Sequence, residues 1–267
     1  MTDVHGQEAL SDPVIEAYVN RCSAAWQELF SAAKEKEEMQ FAMALNPEFR
    51  GEQDAGWSTA EEASLALEQY LELLSKLEAT PIKIRLALSL YSHLSEASGF
   101  YEVPKNMMRI ASDEEYNLWP FRHLVARHAA SGAIIAPNAN KVMKDLLGHA
   151  EELGLQRLKA LILETFDPDL RNGYAHADYI IWEDGIRLRK RNGGHPSVVS
   201  FEEFTIKLNK AIAFFQTLKN NMMESVRSYA TPKRFMGRMN NSDPRMPVII
   251  SYDEATGRFD IRTGLGI

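Results

Sequence analysis

The residues of this chain best suited to chemistry stand together in Leu170-Arg171-Asn172-Gly173-Tyr174-Ala175-His176-Ala177-Asp178-Tyr179. Arginine offers paired N–H donors to a phosphate oxygen and stays charged at any ordinary pH. Histidine takes up and releases a proton near neutrality. An asparagine amide can orient either partner. Metal-free RNA cleavage, the reaction of helical domains that carry a similar string, is one reaction such groups could serve. The ribose 2′-OH attacks its own phosphate, so the step requires a base, an acid for the leaving 5′-oxygen and a cation for the phosphorane charge. On this reading His176 transfers the proton, Arg171 holds the phosphate, and Asn172 orients His176 or the phosphate.

Spacing alone does not single out this pair. With 17 arginines and 7 histidines, chance gives roughly one arginine–histidine pair at such a separation. The chain holds more than that, among them Arg171/His176, Arg122/His128 and Arg189/His195. Context separates them. A helix over Phe121–Ala130 would turn Arg122 and His128 about 240° apart, and Arg189/His195 spans the pliant Asn192-Gly193-Gly194. Arg171 instead follows a capped helix start, Asp167-Pro168, and precedes a hairpin signal.

The string Arg171-Asn172-Gly173-Tyr174-Ala175-His176 resembles the arginine–polar–x-x-x–histidine motif of the HEPN superfamily, all-helical domains that include many RNA endonucleases. The apolar helix before it and a long amphipathic helix near 201–229 are similar to that family's layout, so the resemblance covers residues 58–230 at most. It implies a helical bundle and a metal-independent endoribonuclease with no cofactor. It also implies a homodimer whose two motifs share a cleft, supplying the second histidine. A role as toxin or phage-defence effector, with an antitoxin or regulatory protein as partner, is likewise implied by the resemblance.

Beside the motif, Arg187, Arg189, Lys190 and Arg191 form a basic run. It reads as a contact for the RNA backbone or, equally, as a charged and solvated strand edge. With alternation along the strand, Ile186 and Leu188 face inward and Arg187 and Arg189 outward. Lys233, Arg234, Arg238 and Arg245 form a second cluster, read as a solvated linker. The alternative from another class is a non-catalytic helical protein-interaction or RNA-binding module. There Arg171 would pair locally with Asp167, Asp169 or Asp178, and the stripe Phe204–Met222 would meet a partner.

The rest of the chain must position these groups. A 45% apolar content supports a sizeable core, and the net charge of −7 means that any RNA site is a local patch. Cys22, the single cysteine, sits in a helical pattern and reads as core. His93, His123, His128 and His149 lack metal-ligand spacing, so no metal site is expected. No apolar run of about 18 residues is present, so no membrane contact is expected. The polar start Met1–Ala9 lacks a secretory pattern, so a cytoplasmic protein is expected.

The expected fold class is mainly α, a helical bundle with two small β-hairpins. Residues 1–57 should form a tail, a helix from Asp12-Pro13 to about Leu45, and a loop. Residues 58–230 should form the bundle with an inserted hairpin, and 231–267 a basic linker and terminal hairpin. Helices are expected after Ser58 and Thr80, with Gly99 as a C-cap, and over 121–130, 139–153 and 155–166. A further helix should follow Ser200. Residues 100–120 read as loop with short helices. Asp184-Gly185 signals a hairpin turn between Tyr179–Trp182 and Ile186–Arg189. Glu254–Gly257 signals another between Val248–Tyr252 and Arg258–Arg262.

Overall fold

The computed structural model describes residues 13–46, 58–190 and 193–264. The expected tail, the Asp12 cap, the 47–57 loop and Arg191 lie outside them. The described chain is mostly helical, with three small antiparallel sheets.

Helix α1 (Pro13–Lys36) buries Tyr18, Cys22, Trp26, Leu29 and Ala33, as the three-and-four spacing requires. The single helix expected to reach Leu45 is instead broken at Glu37, whose backbone is extended, and α2 (Glu38–Leu45) follows. The break has a packing reason. Every residue of Met39–Leu45 is buried, so this segment must enter the core, whereas α1 keeps one face in solvent. Helices α3 (Thr59–Lys76) and α4 (Pro81–Glu96) begin as expected, with Ser58 Oγ accepting from Glu61 N and Thr80 Oγ1 from Lys83 N.

Residues 98–111 form one continuous helix, α5 (Ser98–Ala111), with Pro104 inside it. This corrects both the loop reading and the Gly99 cap. Phe100, Tyr101, Val103, Met107, Met108 and Ile110 are all buried, and their packing outweighs the local cost of a proline. The helix expected over 121–130 is also absent. Arg122–Leu124 makes a short 3-10 turn, then β1 (Ala126–Arg127) pairs with β2 (Ile134–Ile135). Val125 and Ile134 remain exposed, so a helix here would have no core face to bury.

Helices α6 (Ala139–Glu152), α7 (Gln156–Thr165) and α8 (Pro168–Ala175) lead into β3 (Tyr179–Trp182), β4 (Gly185–Leu188) and β5 (Ser197–Ser200). Then come α9 (Phe201–Arg227), β6 (Lys233–Gly237), β7 (Met246–Asp253) and β8 (Arg258–Thr263). Two hairpins were expected. The structure has a two-stranded ladder and two three-stranded sheets, β3-β4-β5 and β6-β7-β8. Besides β1 and β2, the unexpected strands are β5 and β6, and β6 lies within the stretch read as a linker. Each is short and completes a hairpin that was legible.

The first hairpin also turns one residue earlier than expected. Trp182 pairs with Gly185, so the turn residues are Glu183 and Asp184. Gly185 serves a different purpose. At φ +153°, an added Cβ would lie 2.3 Å from Val199 O, so only glycine lets β5 approach β4 here.

The core is one contiguous cluster from Tyr18 to Phe259. Trp26 meets Phe214 edge-on at 4.9 Å, and Phe100 stacks on Phe215 at 3.7 Å between ring centres. The stripe Phe204, Leu208, Ala211, Phe215 and Leu218 is buried in this core. Cys22 is fully buried, and burial pushes its thiol up to about 11, which suits packing and not nucleophilic attack.

Candidate functional site

Helix α8 is fixed at its start by side chains from three other helices. Tyr91 of α4 donates to Thr165 O at 2.9 Å and accepts from Asp167 N at 2.7 Å. Tyr18 of α1 bonds the Thr165 hydroxyl. Asp167 caps α8 by accepting from Asp169 N and Leu170 N, and its carboxylate pairs with Lys207 of α9 at 3.2 Å. Downstream, Leu170 is fully buried and Gly173 lies against β4, where an added Cβ would come within 2.7 Å of Leu188. The motif therefore sits on a short helix held at both ends.

The far end stops in a defined way. Asp178 N donates to Gly173 O at 2.8 Å and Ala177 N to Tyr174 O at 3.0 Å. These are the two bonds of a Schellman motif. Its left-handed position is filled by Ala177 at φ +53°, where glycine is usual. His176 caps the helix and is exposed.

Arg171, Asn172 and His176 line one open cavity of about 400 Å³, together with Arg189 and Lys190. Arg171 is largely buried, with 13% of its side chain exposed, and it forms an ion pair with Glu96 at the end of α4. Its Nη1 donates to Asn172 Oδ1 at 2.8 Å. Its Nε is buried without a hydrogen-bond partner. Burial lowers its pKa from the ordinary value, but a guanidinium remains protonated. Asn172 thus orients the arginine, where the sequence suggested His176 or a phosphate.

The basic run divides. Ile186 and Leu188 face inward as expected. Arg187 lies on the outer face, paired with Asp184 at 3.2 Å and 5.4 Å from the Trp182 ring, outside the cavity lining. Arg189 stands at the rim, 76% exposed and 3.5 Å from Asp178. Lys190 pairs with Asp169. Sequence reasoning missed Glu96, Asn138 and Asn140. Asn138 carried a local signal as the cap of α6, bonding Lys141 N at 3.1 Å. Glu96 carried none, because its meeting with Arg171 is tertiary.

A second polar cluster lies between α5 and α6. Lys105, with 7% of its side chain exposed, places Nζ 2.8 Å from Asp145 Oδ2 and 3.0 Å from His149 Nδ1. His123 Nε2 lies 2.5 Å from Asp145 Oδ1, and Ser112 Oγ lies 3.2 Å from His149 Nε2. An ammonium cannot accept, so His149 Nδ1 must, and the ring proton of the neutral form sits on Nε2. Burial, and then the charge of Lys105, lowers the His149 pKa. Among the described residues, no group of three or more His, Cys, Asp or Glu side chains is arranged to hold a metal ion.

The second basic cluster is not a solvated linker. Glu37, 6% exposed, receives Arg238 Nε at 3.1 Å and Arg245 Nη2 at 2.8 Å, and Glu38 receives Lys233 at 2.6 Å. These pairs tie the C-terminal sheet to the junction of α1 and α2. Arg234 is exposed. Among the described residues, no helix is long and apolar enough to cross a membrane. No family model matches the chain, and no curated protein or solved structure shows significant similarity to it.

Proposed function

We propose that this protein is a HEPN-like, metal-independent endoribonuclease that works as a homodimer. The observation that carries the reading is the shared cavity of Arg171, Asn172, His176, Arg189 and Lys190. A buried or divergent arginine–histidine pair would have argued against it. Here His176 is exposed and shares the cavity with Arg171, whose side chain, held by Glu96 and Asn172, is only 13% exposed, which counts against the reading.

The reaction follows from those groups. His176 accepts the proton of the RNA 2′-OH as its oxygen bonds to phosphorus. Arg171 leaves Glu96 in part to share its charge with the phosphorane oxygens. The P–O5′ bond then breaks, with the 5′-oxygen taking a proton from the same histidine of a second copy. The products are a 2′,3′-cyclic phosphate and a 5′-hydroxyl. A toxin or phage-defence role, with an antitoxin or regulatory protein as partner, belongs to the same proposal.

The second reading is a non-catalytic protein-interaction or RNA-binding module. It is favoured by the pairing of Arg171, Arg187 and Lys190 with acidic neighbours, which leaves little free positive charge for RNA. RNA cleavage in excess EDTA by wild type and His176→Ala, with analysis of product ends, decides between them. Cutting by wild type alone to cyclic phosphates supports the nuclease. Equal cutting, or none, by both proteins overturns it.

A further inference from the structure

Arg171 lines two cavities, not one. The second, of about 240 Å³, lies between α6, α7 and the start of α8, and it also shares Asn140 with the first. The two differ in character. The first is walled by polar and charged groups. The second is walled mainly by Met143, Leu147, Ile162, Leu163 and Phe166. Leu163, one of the lining residues, is 61% exposed.

We infer that this apolar recess is a nucleobase subsite, holding the base next to the phosphate that Arg171 engages. The inference rests on the nuclease reading and deepens it. A ribonucleotide has the same division as the two neighbouring cavities, with a flat apolar base at one end and an anionic phosphate at the other. Arg171 lines both cavities and so stands where they meet in the fold. The Asn140 amide, shared by both cavities, offers a donor and an acceptor to a base edge. Apolar walls take any base face, and single-stranded RNA is recognised through such unstacked bases.

The test uses binding and not cleavage. The probe is a short single-stranded RNA with 2′-O-methyl groups, which cannot be cut by this route, beside the same strand with one abasic residue at its centre. Affinities of the whole protein are read by fluorescence anisotropy. The wild type should bind the base-bearing probe at least about tenfold tighter. Leu163→Asp, a change at an exposed rim position, and Leu147→Trp, which fills the recess, should bring the two affinities together. Agreement between these variants guards against misfolding of either one. Equal wild-type affinity for both probes overturns the subsite and leaves the Arg171/His176 reading standing. So does a preference that survives both variants. Failure of the wild type to bind either probe overturns the nuclease reading and the subsite with it.

Discussion

Two clusters in this molecule contain the same ingredients, a basic side chain, a carboxylate and histidine beside an open cavity of about 400 Å³, yet they are built for different ends. Between α5 and α6, Lys105, Asp145, His149 and Ser112 are turned toward one another, and both ring nitrogens of His149 are engaged. At the end of α8, His176 is exposed, and Arg171 meets a half-exposed Glu96 while its Nε has no partner. A network of this kind, in which Asp145 Oδ2 has an ion pair but no hydrogen bond, stabilises a fold and fixes its geometry. A site that keeps an exposed histidine beside an open cavity has capacity left for a ligand. Residue types are therefore a poor guide, and the state of their hydrogen bonds is a better one.

The strongest way to break this contrast is to exchange the roles of the two histidines. His176→Ala should lower RNA cleavage by about 10²–10⁴-fold, the usual worth of a general acid–base group, with its thermal midpoint unchanged. Single-turnover kinetics and a melting curve check both halves. The contrast fails if His149→Ala removes activity at wild-type stability.

Next in size are the cations. Lys105→Met leaves Asp145, which is 14% exposed, with His123 as its remaining partner, and should cost about 2–3 kcal/mol in urea unfolding. Arg171→Met leaves Glu96 with 38% of its side chain in water, so the cost should stay below about 1 kcal/mol. Similar losses from the two variants would erase the distinction.

The third test is pH. His149 has a lowered pKa in the fold, first through burial and then through Lys105. Its unfolded form therefore binds the proton more readily. Its contribution to stability is intact above the unfolded value near 6.5 and is lost as pH falls through that value toward the folded pKa. Protonation at Nδ1 would also bring that proton against the Lys105 ammonium. Unfolding free energies measured from pH 7.5 to 5 should fall less steeply in His149→Gln than in wild type. An unchanged slope would remove His149 from the account.

The smallest effect sharpens the description of α8. Ala177→Gly relieves a left-handed alanine at φ +53° but adds freedom to the unfolded chain. A net gain of about 0.5–1 kcal/mol is expected, without change in cleavage. Loss of stability on denaturant unfolding would show that the Schellman turn is not strained.

Most of the helices were legible because their signals are local. Ser58, Thr80, Asp167 and Ser200 each cap the helix that follows, and the α9 stripe states its buried face. Elements that depend on distant partners were not. Helix α5 hides behind Pro104 and behind Lys105 and Asn106, polar residues that are buried only because of what they meet. Strand β6, Lys-Arg-Phe-Met-Gly, reads as basic linker until β7 lies beside it. The Asp184-Gly185 signal located a hairpin but misplaced its turn, since Gly185 is required by β5.

The amino-acid sequence alone determined the helical class, the capped start of α8 and the proximity of Arg171, Asn172 and His176, because all of these depend on contacts within a few residues. Tertiary structure decided which of those groups have unspent bonds. It brought Glu96 to Arg171, Asp169 to Lys190 and Asp145 to Lys105 across separations that no local pattern encodes. It also opened the cavities on either side of Arg171. The physical reason is that caps and periodic faces are fixed by neighbouring dihedrals, whereas an ion pair or a cavity exists only after the core has set where separate elements stop.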